Sequence, residues 1–144
     1  MPEPQPAPLL IGISESTDRT FYAAPRDVKE SSGTRNLLMV FNRAVQYIKR
    51  LNDEKYLGRD DWRLPTEQEL DLMIETKYEN GLSKTFNDLS EFDPDRPYEM
   101  WYMALRVLPS GDEEVYARMA RLGSLSYTTG KDSPIEFSLR PVCG

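Results

Sequence analysis

The chain contains no histidine. That absence excludes Ser-His-Asp and Cys-His catalysis, His-ligated zinc or iron, and switching by an imidazole. Cysteine occurs once, at Cys143, so an internal disulfide, a CxxC redox pair and a four-cysteine zinc site are all ruled out. No apolar run approaches the roughly 20 residues that span a bilayer. The opening MPEPQPAPLL has neither the basic region nor the long apolar region of a secretory signal. Bases are scarce as well: 18 Lys and Arg face 24 Asp and Glu, a net charge of -6, which disfavours binding to a nucleic-acid backbone. P-loops, Gly-rich dinucleotide turns and RNA-stacking motifs are missing. These absences predict no cofactor, no metal, no nucleic-acid partner and no membrane span. They also predict synthesis in the cytoplasm, with export by a dedicated secretion machine left open.

What is present describes one domain. The 144 residues are 39% hydrophobic, enough for a single core. Residues 1–8 carry four prolines and read as a disordered tail, which leaves 9–144 as the domain. Leu9–Ile13 and Thr20–Ala23 flank a turn-rich stretch and predict a β-hairpin ended by Pro25. Leu37–Leu51 repeats apolar residues at the helical period (Leu37, Val40, Phe41, Ala44, Ile48, Leu51), with Asn36, Thr34 or Ser32 as candidate caps. A second helix begins after Pro65, where Thr66 and Glu69 have the spacing of a capping box and Leu70, Met73 and Ile74 form the buried stripe. Residues 76–97 read as a long irregular excursion. Strand patterns return at 100–105, at 114–121, where Val115, Ala117 and Met119 alternate with Tyr116, Arg118 and Ala120, and at 136–142. The predicted class is α+β, two helices packed on antiparallel sheet with a long irregular loop region.

Charge is uneven: residues 52–99 hold 14 acids and 6 bases. Asp60-Asp61 and the Asp93/Asp95 pair are candidate calcium ligands, but the chain has no EF-hand loop, and a solvated acidic loop is the simpler reading. The same acidic stretch, 76–99, alternatively faces a basic partner. Carboxylates alone support a hydrolase or lyase only if two stand at fixed separation across a cleft, and no spacing singles out such a pair. Cys143 reads as an inert thiol. Arg106, Arg118, Arg121 and Arg140 accompany Tyr116 on the C-terminal strands, with Tyr127 in the connection between them. Of these, Tyr116, Arg118, Arg121 and Tyr127 are the candidate partner-binding residues, with the ordinary outward side of a half-exposed sheet as the alternative. Trp101, Phe41, Phe137 and Tyr47 read as core.

The stretch Asp61-Trp62-Arg63-Leu64-Pro65-Thr66, followed by Glu69-Leu70, resembles the DWRLPTxxEL signature of the Lcl C-terminal domain family, named for a bacterial collagen-like adhesin. Met100-Trp101-Tyr102 is similar to that family's Trp-Tyr strand, Ser138-Leu139-Arg140-Pro141-Val142 to its terminal strand, and Ile11–Ala23 to the opening hairpin of one bacterial branch. The resemblance implies a C-type-lectin-like fold related to the formylglycine-generating-enzyme domain. It also implies a non-catalytic bacterial, phage or mobile-element recognition module for a protein or glycan. The enzyme relatives need a cysteine pair or histidines that this chain lacks. Met103-Ala104-Leu105 and the plain loop 122–131 depart from the family pattern in regions that often carry ligand contacts. Trp62, Arg63, Leu64, Pro65, Thr66, Glu69 and Leu70 are expected to build a joint between the helices rather than to bind. A secreted effector or acidic immunity or adaptor protein is a further reading, and a carboxylate-only hydrolase or lyase is another.

Overall fold

The computed structural model describes residues 7–30, 35–86, 99–120 and 126–144. The expected tail falls mostly outside that set, as do Ser32, Thr34, Asp93, Asp95 and Arg121. The chain is α+β. Leu9–Ile13 (β1) and Thr20–Ala23 (β2) form the expected antiparallel hairpin. Phe41–Asp53 (α1), Glu67–Glu75 (α2) and the short Lys77–Asn80 (α3) follow. Trp101–Val107 (β3), Glu113–Met119 (β4) and Ser126–Thr129 (β5) make an antiparallel meander, and Val142–Cys143 (β6) ends the chain. The described strands thus form two antiparallel sheets, ordered β1-β2-β6 and β3-β4-β5.

The first helix starts four residues later than the apolar period predicts. Leu37–Val40 is extended instead, because its backbone is recruited elsewhere: Met39 exchanges both bonds with Phe137, at 2.9 and 3.0 Å, and the Leu37 N–H donates to the Val28 carbonyl. Val40 is the N-cap and supplies no side-chain bond. Asn36 caps nothing, since its amide donates to Asp27 and Ser138 in the interior. The second helix starts where its local signals place it. The Thr66 hydroxyl accepts from the Glu69 N–H at 3.2 Å, and the Glu69 carboxylate accepts from the Thr66 N–H at 2.8 Å. Thr66→Ala is expected to lower the unfolding free energy by about 1 kcal/mol, read from a urea titration.

The terminal stretch 136–142 is not a third strand of the C-terminal meander. Only Val142–Cys143 is strand, and it pairs with β2. Upstream of it each residue serves a different neighbour: Ser138 bonds Trp101 and Met103, the Leu139 carbonyl accepts from Val28, and the Pro141 carbonyl accepts from Ala24. Pro141 has no N–H to continue a ladder, so the segment becomes a seam between the two sheets. The meander's third strand is β5, whose Ser-Tyr-Thr-Thr sequence has no apolar alternation to reveal it. Both faces of the β3–β4 pair are covered. Met103, Val115 and Ala117 join α1 and Trp62 in one core cluster, while Tyr102, Ala104 and Tyr116 join α2 in another. The supposed polar side of β4 is therefore interior, with Tyr116 4% and Arg118 8% exposed. Of the aromatics expected in the core, Phe137 is buried, while Phe41, Tyr47 and Trp101 are half-buried against it. Within the expected irregular excursion, α3 is helical and Leu82–Lys84 forms a 3-10 turn.

Candidate functional site

Nine residues past the end of α1, at Trp62, the chain makes a joint. Trp62 is buried, its backbone matched by the Asn52 side chain, which accepts from the Trp62 N–H at 2.7 Å and donates to its carbonyl at 2.9 Å. The indole N–H donates to the Tyr56 carbonyl at 2.8 Å, and the two rings pack with centroids 5.3 Å apart. Arg63 exchanges backbone bonds with Val142, and the Leu105 N–H donates to the Pro65 carbonyl at 2.8 Å. The Arg63 guanidinium grips both oxygens of Glu69, at 2.5 and 2.7 Å. One short stretch thus ties the end of α1, β6, β3 and the start of α2.

Glu69 is fully buried. Burial alone would raise its pKa, but bonds from Arg63, Ser14 and the Thr66 backbone outweigh burial and hold it below the ordinary value. A carboxyl lowered in the folded state stabilises above its unfolded pKa and loses that contribution as pH falls through the folded value. Glu69→Gln is expected to cost about 1–3 kcal/mol at pH 7. Below about pH 4.5 its denaturation midpoint should change less with pH than that of the parent.

Above this joint lies an apolar groove of about 610 Å³. Phe41, Val45 and Ile48 of α1 form one wall; Trp62 and Leu64 form the floor, and Leu105 of β3 the other wall, while Ser16, Thr17, Arg63, Thr66 and Glu113 supply the polar rim. The helical spacing of 41, 45 and 48 points these three side chains the same way. Val45 is 46% exposed although it sits inside this apolar surround. The helix pattern left Val45 off the buried stripe, and an apolar residue beside the stripe was the one signal in the sequence for the groove. Beside it, Glu15, Glu67, Asp71 and Glu75 line a shallow acidic trough along α2.

The candidate partner-binding residues are divided. Tyr116 and Arg118 do come together, but under α2, where both donate to Asp71 Oδ1, at 2.6 and 2.8 Å. Burial and the Asp71 carboxylate push the Tyr116 phenol up to about 12. Tyr127 lies opposite Ala117 and so on the other face of the sheet, 41% exposed. Arg121 lies outside the described residues. Asp61 is held by Arg59 at 2.8 and 2.9 Å and by the Gly144 N–H. Among the described residues, no group of three or more acids and cysteines is placed to hold a metal, and no helix is long and apolar enough to cross a membrane. Cys143 is buried, and burial raises its thiol to about 11.

One further cluster has little signature in the sequence. Arg140, fully buried, donates to the Ala24 carbonyl at 2.6 Å, to Asp27 at 2.8 Å and to Thr85 at 2.7 Å. Tyr102 and Asn36 donate to the other oxygen of Asp27. Glu99 accepts from Arg35 and from the Asn36 N–H, and its carbonyl accepts from Ser138. These polar groups are saturated and, apart from the half-exposed Arg35 guanidinium, largely buried, an arrangement that builds the scaffold. No curated protein and no solved structure matches the chain. The Lcl C-terminal domain profile does, across residues 17–142. That span holds the Trp62 joint and the Arg140 seam, and the chain belongs to the Lcl C-terminal domain family.

Proposed function

We propose that the chain is a non-catalytic recognition module, C-type-lectin-like in scaffold, that holds an apolar segment of a partner protein in the groove between α1 and β3. The carrying observation is the groove itself: its volume falls in the range of ligand pockets, and Val45 stands exposed inside it. Pairing of the N-terminal hairpin with the last strand, through β2 and β6, supports the lectin-like reading. A protein is favoured over a glycan because sugar recognition wants an aromatic face open to solvent, and Trp62 is turned inward. The trough alongside, four acids against the two cations Arg106 and Arg118, and the net charge of -6 favour a segment with Lys or Arg flanking its apolar anchor. They also disfavour a second copy of this acidic chain. The effector and immunity readings are compatible with such a groove and differ only in the identity of the partner.

A hydrolase or lyase reading has less support. A general acid at neutral pH needs a raised carboxyl, and Glu69, the buried carboxyl nearest the groove, is lowered and clamped by Arg63. The test uses a labelled 14-residue Leu/Lys amphipathic peptide, its Leu/Glu counterpart and a glycan panel, read by fluorescence anisotropy. The Leu/Lys peptide is expected to bind, and Val45→Glu to weaken it by at least about tenfold, about 1.4 kcal/mol, with an unchanged melting temperature because the side chain faces water. Equal affinity for Val45→Glu would overturn the groove assignment. Binding of a glycan but neither peptide would overturn the choice of partner.

A further inference from the structure

A second cleft, of about 350 Å³, opens on the opposite flank of α1, between Tyr47, the turn at Tyr56 and the Arg26–Lys29 segment. Its inner surface is apolar, from Val28, Leu51 and Pro141. The polar groups around it are unlike those of the groove. Tyr47 and Tyr56 are half-buried, and among the described residues neither hydroxyl has a hydrogen-bond partner. Arg26 has no ion pair there, and the Lys29 ammonium donates only to the neutral Asn36 amide oxygen, at 2.6 Å. Two carboxylates also line the cleft, but each already has a cation: Asp27 holds Arg140, and Glu54 holds Arg50 at 3.1 Å. Among the described residues, then, two cations lack a carboxylate and two phenols lack an acceptor around an apolar pocket in an acidic protein. Free donors beside uncompensated cations match an anionic oxygen ligand, and pocket-lining polar groups fix a ligand's orientation.

We propose that this cleft binds a small organic carboxylate, its two oxygens taken by Arg26, Lys29 and the tyrosine hydroxyls and its apolar body lying on Val28, Leu51 and Pro141. Burial raises both phenols, so each is a protonated donor at neutral pH, and the Arg26 and Arg140 charges reach Tyr56. The turn that carries Tyr56 is set by two non-glycine residues in the left-handed region, Lys55 (φ 50°) and Leu57 (φ 53°). Such residues are uncommon, and functional sites are where strained backbone concentrates.

The probes are N-acetyl-leucine and 3-phenylpropionate, each beside its neutral amide, titrated into the 15N-labelled full chain and followed by amide chemical shifts. Saturable shifts centred on Arg26, Val28, Lys29 and Tyr56 are expected from at least one acid, with its amide at least about tenfold weaker. Arg26→Gln, a change at an exposed side chain, should weaken the acid by a similar factor and leave the spectrum elsewhere unchanged. Tyr56→Phe, which keeps the ring packed on Trp62, should weaken it further. The proposal is overturned if neither acid gives a saturable shift at these residues, if amide and acid bind alike, or if Arg26→Gln binds as tightly as the parent. The Leu/Lys peptide does not report on this cleft, so failure here leaves the groove reading standing, and the converse holds.

Discussion

Arg140→Ala is expected to remove about 3–5 kcal/mol of unfolding free energy, a large part of the 5–15 kcal/mol that holds a domain of this size together. The guanidinium is fully buried and satisfies three acceptors on two segments: the Ala24 carbonyl and Asp27 on one, and Thr85 on the other. Deleting it leaves a carboxylate buried in the interior with its main counter-charge gone, and an unpartnered carbonyl beside it. The alternative view, that Arg140 is one more cation of a C-terminal strand, predicts a loss within about 0.5 kcal/mol, as for an ordinary surface change. Arg140→Lys separates charge from geometry. An ammonium donates from a single nitrogen and cannot match acceptors that are served here by three separate guanidinium nitrogens, so Lys should recover only part of the loss. Urea denaturation followed by tryptophan fluorescence measures all three proteins, and an Arg140→Lys midpoint equal to the parent's would show that charge alone suffices.

Trp62→Ala carries the second large effect, about 3–5 kcal/mol from the lost burial and the cavity left behind. The variant also frees the Tyr56 carbonyl from its indole donor and removes the ring that Tyr56 packs on. Because the indole forms the floor of the groove, the Leu/Lys peptide should bind more weakly to whatever fraction stays folded. Trp62→Phe divides the two roles: most of the apolar contact stays and the hydrogen bond goes, so a loss of about 1–3 kcal/mol is expected with peptide affinity nearly kept. Since Trp62 is one of only two tryptophans, circular dichroism is the better probe for these two variants.

Local patterns were legible and long-range ones were not. The capping box at Thr66 and Glu69 and the hairpin of Leu9–Ala23 are set within a few residues, and spacing reveals them. The start of α1 was misread because Leu37 and Val40 keep the helical period while Met39 is claimed by Phe137, a bond that no window of sequence contains. Alternation along β4 suggested an outward polar face at Tyr116 and Arg118, yet α2 supplies Asp71 to cover it. Strand β5 escaped notice since Ser-Tyr-Thr-Thr is polar on both sides. The Asp27–Arg140 pair spans 113 positions, and Asp27 has nothing around it in sequence to set it apart from the other acids. Arg140 stands out in the sequence through the Ser-Leu-Arg-Pro-Val likeness and as one of four arginines of the C-terminal strands, and neither signal points to a buried ion pair. The groove needs α1, the Trp62 joint and β3 assembled before it exists, so Val45 alone hinted at it.

The proposed division of labour is that buried residues of the family signature hold the scaffold while the groove they shape binds the partner. Amide chemical-shift mapping of the parent and of Val45→Glu with the Leu/Lys peptide tests it directly. Shifts should concentrate on Phe41, Val45, Leu64 and Leu105 in the parent and largely vanish in the variant, whose unliganded spectrum remains that of a folded domain. Shifts that gather instead around Tyr127, or that persist unchanged in Val45→Glu, would contradict it.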